Sequence, residues 1–439
     1  MITLTLPTAD GKTERYTPGS PADFARKAEG GLPRVAFAAA HVVPNPLADC
    51  DPWLDEPIDW DATIAYRRHL WDLGLGVAEA MDTAQRGMGL GWETAQELIR
   101  RSVAAAADYD GDAMIACGAG TDHLSPDPSL TIDDVIRAYE EQFEMVEGAG
   151  GRIILMASRA LAKCARSPDD YAKVYDRLLS QAREPVIIHW LGEMFDPALA
   201  GYWGSGDHMA AMDVAVDVIN RNAAKVDGVK VSLLDDTKEI AMRRRLAKGV
   251  RMYSGDDFNY PDLIAGDEEG YSDALLGIFD AIAPAASAAL AAMARQDMTL
   301  YHQILAPTVP LSRHIFKAPT RFYKTGVVFM AYLNGHQDHF SMVGGQQSAR
   351  SAVHLAEIFR LADKAGLLSD PDLASRRAST VMAQYGVAWY HPLSIRYSPK
   401  RGPITCSRIS RPWISPPPIG ASVRPRFIWS MAATARRCC

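Results

Sequence analysis

The sequence predicts an α/β protein built on a (β/α)8 TIM barrel, and three observations support this fold class. From about residue 33, short apolar runs alternate with amphipathic segments along the chain. Eight such runs, each followed by a helical segment, fit within roughly 250 residues, the usual length of this barrel. An open doubly wound sheet is the alternative, but GAGTD at 118–122 does not match the G-x-G-x-x-G turn of dinucleotide-binding sheets.

The apolar runs themselves are the predicted strands. Several segments between them carry helix-start signals, as where Thr131 precedes Asp133 and Asp134. In a barrel the carboxyl ends of all strands open on one face, so functional polar side chains are expected at those ends. The eight predicted strands are residues 34–42, 76–82, 113–120, 152–158, 185–192, 228–234, 250–257 and 270–275.

Four regions differ in composition. Residues 1–32 form an N-terminal arm or an extra strand pair, residues 33–280 the barrel, and residues 281–372 a C-terminal helical module. Residues 373–439 contain no Asp or Glu and are rich in arginine and proline. This tail is predicted to be disordered or the product of a shifted reading frame, with a basic arm for an acidic partner as the alternative.

Composition limits the classes of partner. The chain has 439 residues, of which 48% are hydrophobic, and 46 basic residues against 53 acidic ones give a net charge of -7. This charge argues against a nucleic-acid-binding protein. We find neither a signal peptide nor an apolar run of roughly 18 residues that could span a membrane. The six cysteines form no C-x-x-C pair, so reduced thiols and a cytoplasmic location are expected.

Lys230 is the first candidate for chemistry. It lies inside the predicted strand at 228–234, where burial would disfavour its charged form and leave a free amine that can attack carbonyl groups. The alternative is a structural lysine that extends to solvent or forms an ion pair with Asp235 or Asp236.

Three motifs carry a resemblance to a known family. Residues 228–230 read GVK, residues 254–257 read SGDD, and residues 185–192 read PVIIHWLG. They resemble the sixth, seventh and fifth strands of the dihydrodipicolinate synthase / N-acetylneuraminate lyase superfamily, and weaker similarity covers about 33–370. The resemblance implies a Schiff-base-forming lyase or aldolase with a C-terminal helical extension, usually tetrameric, and it places the imine-forming lysine at Lys230.

Neighbouring positions depart from the family pattern. The strand-5 tyrosine that relays protons falls on His189, whose imidazole can also transfer protons near neutral pH. The G-T-T-G-E motif, which holds a 2-oxo acid carboxylate, matches DTAQR at 82–86, where Thr83 is kept and Ala84 replaces the second threonine. Met194 stands where the family has a substrate-binding arginine. The chain therefore resembles a divergent branch.

The first functional hypothesis is an enzyme in which Lys230 forms a Schiff base with a small carbonyl substrate, a 2-oxo acid or a related compound. His189 would transfer the proton, and Thr83 would hold the carbonyl or carboxylate oxygen. No cofactor is expected, because the protonated imine itself withdraws electrons. The resemblance also implies a homo-oligomer, a dimer or tetramer. The predicted substrate-binding residues are Asp82, Ser232, Ser254, Gly255, Asp256 and Ser272.

Two other classes remain open at this point. One is a divalent-metal-dependent barrel hydrolase or isomerase, although no H-x-H pair follows the first strand. The other is a non-catalytic barrel that binds a metabolite, which the missing tyrosine and arginine suggest. Metal ligands for the first of these would come from His41, Asp82, His123, His189, Asp256 and Asp257.

Overall fold

The structure is a computed structural model that describes residues 1–24 and 31–387. Most of the tail predicted at 373–439 therefore lies outside the described residues. Two strands, β1 (Leu4–Pro7) and β2 (Thr13–Tyr16), form an antiparallel hairpin ahead of the barrel.

Eight parallel strands close into a barrel in the order β10-β3-β4-β5-β6-β7-β8-β9. The predicted (β/α)8 fold is confirmed, and each of the eight predicted segments overlaps one of these strands. Their bounds are β3 (Ala36–Ala39), β4 (Gly76–Glu79), β5 (Ile115–Ala119), β6 (Arg152–Leu155), β7 (Val186–Leu191), β8 (Val226–Ser232), β9 (Arg251–Ser254) and β10 (Asp273–Leu276).

Helices surround the barrel and continue beyond it. At the start of α3, the predicted N-cap Thr131 and the side chain of Asp134 form a reciprocal capping box. The barrel helices are α1 (Trp60–Asp72), α2 (Trp92–Ala107), α3 (Ile132–Gly148), α4 (Arg159–Cys164), α5 (Pro168–Gln181), α6 (His208–Arg221), α7 (Asp236–Arg243), α8 (Tyr260–Ala265) and α9 (Ile278–Ala281). The C-terminal helices are α10 (Ala283–Ala294), α11 (Met298–Leu305), α12 (Thr308–Ile315), α13 (Tyr323–Leu333), α14 (Ala352–Lys364) and α15 (Pro371–Gln384).

The boundary predicted at residue 372 falls inside α15. The absence of acidic residues suggested a change of domain there, but the helical spacing of Ala374, Ala378, Val381 and Met382 buries one face of this helix. Apolar periodicity, not charge, decides where the helical module ends.

The N-terminal hairpin packs on the last helices. The Tyr16 hydroxyl donates to Asp363 at 2.6 Å, and the Arg360 guanidinium donates to Glu14 at 2.7 Å. The backbone amide of Ile2 donates to Asp372 at 2.7 Å. These contacts fasten the hairpin to α14 and α15.

Apolar side chains fill the barrel interior and fix which residues face inward. Ile187 belongs to this interior cluster, and alternate residues of a strand face the same side, so His189 also faces inward, one layer nearer the carboxyl end. The register pairs Ile187 with Gly228 and His189 with Lys230. Lys230 therefore shares the interior layer of His189. The cluster comprises Phe37, Ala39, Ala78, Met81, Ala116, Ile154, Ile187, Tyr253 and Leu275.

Helix α13 is buried on all sides, since each of its 11 residues is buried. Its first two residues, Tyr323 and Lys324, contact the polypeptide that follows β4. The helical module thereby contributes side chains to the carboxyl end of the barrel.

Within residues 1–24 and 31–387, no helix combines the length and the apolar character needed to cross a membrane.

Candidate active site

Lys230 lies near the carboxyl end of β8 with 4% of its surface exposed. Within the part of the chain that the structure describes, its amine neither donates a hydrogen bond nor joins an ion pair. Asp235 instead caps α7 and pairs with Lys238 at 2.8 Å, so it does not neutralise Lys230. Burial lowers the pKa of Lys230, although the charges of Asp82 and Asp257 oppose that effect.

His189 lies beside Lys230 on β7 and is 1% exposed. Its Nε2 lies 3.2 Å from the hydroxyl of Ser232. Burial lowers the pKa of His189 well below its usual value, and the positive charge of Lys230 lowers it further. The imidazole is therefore neutral near pH 7 and able to exchange a proton with a hydroxyl group.

Asp82 and Thr83 follow β4 and meet a tyrosine from the helical module. The Tyr323 hydroxyl donates to Asp82 Oδ2 at 2.6 Å and lies 2.7 Å from Thr83 Oγ1. Burial alone would raise the pKa of Asp82, but the charges of Lys230 and then Lys324 bring it down to about 2. Asp82 is thus an ionised carboxylate, and its buried Oδ1 accepts no hydrogen bond from the described residues.

Asp257 is a second buried carboxyl group near Lys230. It follows β9, is 3% exposed, and accepts a hydrogen bond from the Ile278 amide at 2.8 Å. Burial raises its pKa to about 8, even though the charge of Lys230 opposes the shift. A carboxyl group with this pKa is protonated at neutral pH and can act as an acid.

The side chains of three residues predicted to bind substrate form hydrogen bonds with other groups of the chain. Ser254 and Ser272 donate to the two carboxylate oxygens of Glu239 on α7, at 3.1 and 2.7 Å. Tyr253 faces the barrel interior, and neighbouring residues of a strand face opposite sides, so the Ser254 side chain points away from the interior. Ser272 precedes β10 and therefore lies at the amino end of that strand, opposite its carboxyl end. Asp256 accepts hydrogen bonds from the amides of the turn that follows it.

Gly255 has a structural reason to be glycine. A Cβ there would lie 2.4 Å from Ser232 Oγ and 2.5 Å from the Val231 carbonyl oxygen. The missing side chain therefore allows the turn after β9 to approach β8 closely. Of the residues predicted to bind substrate, Asp82 and Ser232 lie around Lys230 and His189.

A cavity opens at this end of the barrel. Its volume is about 90 Å³, on a scale where one water molecule requires about 10–15 Å³, so it can hold a small metabolite. The wall includes Asp82, Arg159, Phe195 and Lys324. Lys230 is not part of the wall, but Asp82 links the two, because it lines the cavity and interacts electrostatically with Lys230.

Sequence analysis missed Tyr323, Lys324 and the role of Asp257. Asp257 follows Asp256 in the SGDD motif, and the sequence alone does not show that their carboxyl groups have different surroundings. Tyr323 and Lys324 lie about 90 residues after Lys230 in sequence and outside the barrel strands, so no strand-end pattern could identify them.

Two of the ligands expected of a metal-dependent enzyme, His41 and His123, contact other side chains. His41 Nδ1 lies 2.9 Å from an Asp280 carboxylate oxygen, and His123 Nδ1 lies 2.8 Å from the amide nitrogen of Gln142. Among the described residues, no three His, Cys, Asp or Glu side chains form a group that could hold a metal ion.

Solved structures share this fold at low sequence identity. A prophage protein of the dihydrodipicolinic acid synthase family from E. coli K12, in complex with pyruvate, is 13% identical with a TM-score of 0.56, covering 82% of this chain and 100% of that chain. Dihydrodipicolinate synthase from Acinetobacter baumannii, complexed with pyruvate, is 14% identical with a TM-score of 0.56. The match covers 76% of this chain and 99% of that chain. The synthase from Aquifex aeolicus is 12% identical with a TM-score of 0.53. The match covers 82% of this chain and 100% of that chain. The predicted resemblance is confirmed at the level of fold.

The sequence itself places the chain in a family. A search of curated proteins gave no match. The sequence profile described as "Protein of unknown function (DUF993)" matches residues 4–387, which is most of the chain. The chain therefore belongs to the DUF993 family, and its fold is similar to that of the dihydrodipicolinate synthases.

Proposed function

We propose that this protein is a Schiff-base-forming lyase or aldolase that acts on a small carbonyl compound through Lys230. One observation carries the proposal: a buried amine without a hydrogen-bond or ion-pair partner among the described residues lies at the carboxyl end of a barrel. Desolvation of an amine increases the fraction present as a free nucleophile. The carboxyl end of the strands is where enzymes with this fold have their active sites.

The surrounding groups suit the formation of an imine. The Lys230 nitrogen bonds to the carbonyl carbon, and the carbonyl oxygen then leaves as water after gaining two protons. One proton comes from the amine nitrogen and the other from an acid, for which Asp257 is suited because burial keeps it protonated near neutral pH. The product is a protonated imine that withdraws electrons from the neighbouring carbon–carbon or carbon–oxygen bond.

Further groups serve proton transfer after the imine has formed. His189, neutral and beside Lys230, accepts or returns the proton of the bond that is made or broken. Thr83 and Tyr323 place two hydroxyl groups 2.7 Å apart, a distance suited to passing a proton between them. In this scheme Tyr323 supplies the phenol that the family pattern has on strand 5. The fold shared with pyruvate-bound structures supports a small oxo compound as substrate, and a homo-oligomer is part of the same proposal.

Reductive trapping tests the proposal. The protein is incubated with a panel of 2-oxo acids and aldehydes in the presence of borohydride, and the modified peptide is identified by mass spectrometry. We expect a stable adduct on Lys230 that Lys230→Ala abolishes. Lys238→Ala is the matched control, because Lys238 is partly exposed in an ion pair with Asp235 and its loss should leave the adduct unchanged.

An adduct on a different lysine, or equal labelling of Lys230→Ala, would overturn the proposal. Thermal stabilisation by the same compounds without any adduct would favour a non-catalytic metabolite-binding barrel instead.

A further inference from the structure

A second buried lysine reaches the same end of the barrel from the helical module. Lys324 is 2% exposed, and its amine donates to the Arg321 carbonyl oxygen at 3.2 Å and approaches the Met88 sulfur at 3.6 Å. Neither group carries a charge, and within residues 1–24 and 31–387 this amine forms no ion pair. A buried ammonium group without an anion is costly.

Asp82 and Asp196 in the cavity wall act on Lys324 through their charges, but neither forms an ion pair with it among the described residues. Arg86 is paired with Asp122, and Arg159 is paired with Asp196 at 2.5 Å. These two pairs leave one further carboxylate in the wall.

The remaining carboxylate is Asp82, and it serves two lysines. The charges of Lys230 and Lys324 both act on it, while one of its oxygens is occupied by the Tyr323 hydroxyl. Among the described residues Asp82 forms no ion pair with Lys324, so the Lys324 ammonium group has no anion in direct contact and the cavity beside it has room for one. A ligand that entered the cavity could supply it.

The groups assigned by resemblance to hold a carboxylate are less available. Thr83 has its hydroxyl engaged by Tyr323 at 2.7 Å, and Ala84 replaces the second threonine of the family pattern. Lys324 lies in the wall of the cavity that a ligand must enter. These contacts favour α13, and not the loop after β4, as the element that binds an acidic group.

We infer that Lys324 binds the carboxylate of the substrate, and that the substrate is a small oxo acid whose carbonyl carbon is thereby positioned for Lys230. This inference rests on the proposed function for the identity of the reacting group. The anion site itself is independent of imine formation, since it depends on Lys324 and on the cavity. A carboxylate suits the volume of about 90 Å³ and pairs with an ammonium group through charge-assisted hydrogen bonds.

The first experiment measures anion binding without any chemistry. Oxalate carries carboxylates but no reactive ketone, and its binding is followed by titration calorimetry on the full chain. We expect oxalate to bind the native protein and Lys230→Met, to bind Lys324→Met more weakly by about tenfold or more, and to bind Lys324→Arg at near-native strength. Lys317→Met is the control, because Lys317 is exposed on the same module. Thermal unfolding of each variant verifies that it is folded.

Each other result decides against the inference. It is wrong if oxalate does not bind the native protein, or if Lys324→Met binds oxalate as tightly as the native chain. Binding of inorganic phosphate but not of oxalate would also overturn it, because the acidic group would then be a phosphate.

A second experiment connects the anion site to the reaction. Borohydride trapping is compared for pyruvate and for its uncharged methyl ester, at matched concentrations. Lys324→Met should slow trapping of pyruvate on Lys230 and leave trapping of the ester unchanged. Failure of every carbonyl compound to modify Lys230 would refute the proposed function while the oxalate result stood. Equal slowing of acid and ester would refute the role of Lys324.

Discussion

The two sides of the barrel bury charge in opposite ways. Beside β4, Arg67 and Glu79 form a bidentate ion pair with both nitrogen–oxygen distances at 2.8 Å, and neither side chain is exposed. The remaining donors of Arg67 reach the carbonyl oxygens of His41 and Thr63. On β8, Lys230 is buried to a similar degree without any such partner among the described residues.

The Arg67–Glu79 pair thus supports the fold, whereas Lys230 has the surroundings of a group that binds a ligand. A buried charge whose hydrogen bonds are all made rigidifies its surroundings, whereas an unpaired one costs stability. A protein that retains an unpaired lysine sacrifices stability at that position, which is typical of sites kept for function. Three variants test whether the two sides really differ in this way.

The largest effect is expected at the completed pair. Arg67→Met leaves Glu79 as a buried carboxylate without its cation, so we expect the free energy of unfolding to fall by about 3–5 kcal/mol. Urea denaturation followed by circular dichroism measures the change.

Arg221→Met is the matched control, because Arg221 pairs with Asp176 and Asp217 at the surface. Its loss should cost at most about 1 kcal/mol. Equal losses in the two variants would mean that burial does not set the strength of these pairs.

An intermediate effect is expected at Glu239, which is buried with hydroxyl partners and forms no ion pair with any of the described residues. Burial raises its pKa to about 8, so between pH 4.5 and 8 the folded state holds a proton that the unfolded state has released. The contribution of Glu239 to the free energy of unfolding is present at low pH and is lost as pH rises toward 8. Glu239→Gln should remove a slope of up to about 1.4 kcal/mol per pH unit in that window.

Unfolding free energies measured from pH 5 to 8 test this expectation. Glu268→Gln, at an exposed glutamate, should follow the native slope. A Glu239→Gln curve parallel to the native one would show that the carboxyl group stays ionised in the folded state.

The smallest effect on stability is expected at Lys230. Lys230→Met replaces an unpaired, desolvated amine with an apolar chain of similar length, so the unfolding free energy should stay the same or rise by about 1 kcal/mol. Denaturation at pH 7 measures it beside Arg67→Met. A loss as large as that of Arg67→Met would place Lys230 among the supporting groups and remove the contrast.

Much of the fold could be predicted from the sequence, because a strand is a local property of apolar runs. The segment at 228–234 contains the observed end of β8, and Lys230 could be selected since an isolated lysine in such a run is unusual. Ser254 could not be placed, because alternation assigns a residue to a face only when the start of the strand is known. The positions of Tyr323 and Lys324 depend on how the helical module packs on the barrel, and a local sequence pattern does not contain that information.

If Lys230 and Lys324 act as proposed, helix α13 makes ligand specificity depend on a part of the chain remote in sequence from Lys230. Its consecutive residues Tyr323 and Lys324 have no solvent-facing alternative, since the whole helix is enclosed. A truncated chain that keeps all eight strands but ends before residue 323 would retain the amine and lose both the phenol and the second cation. Ligand preference could then be redesigned through the module while the barrel strands stay untouched.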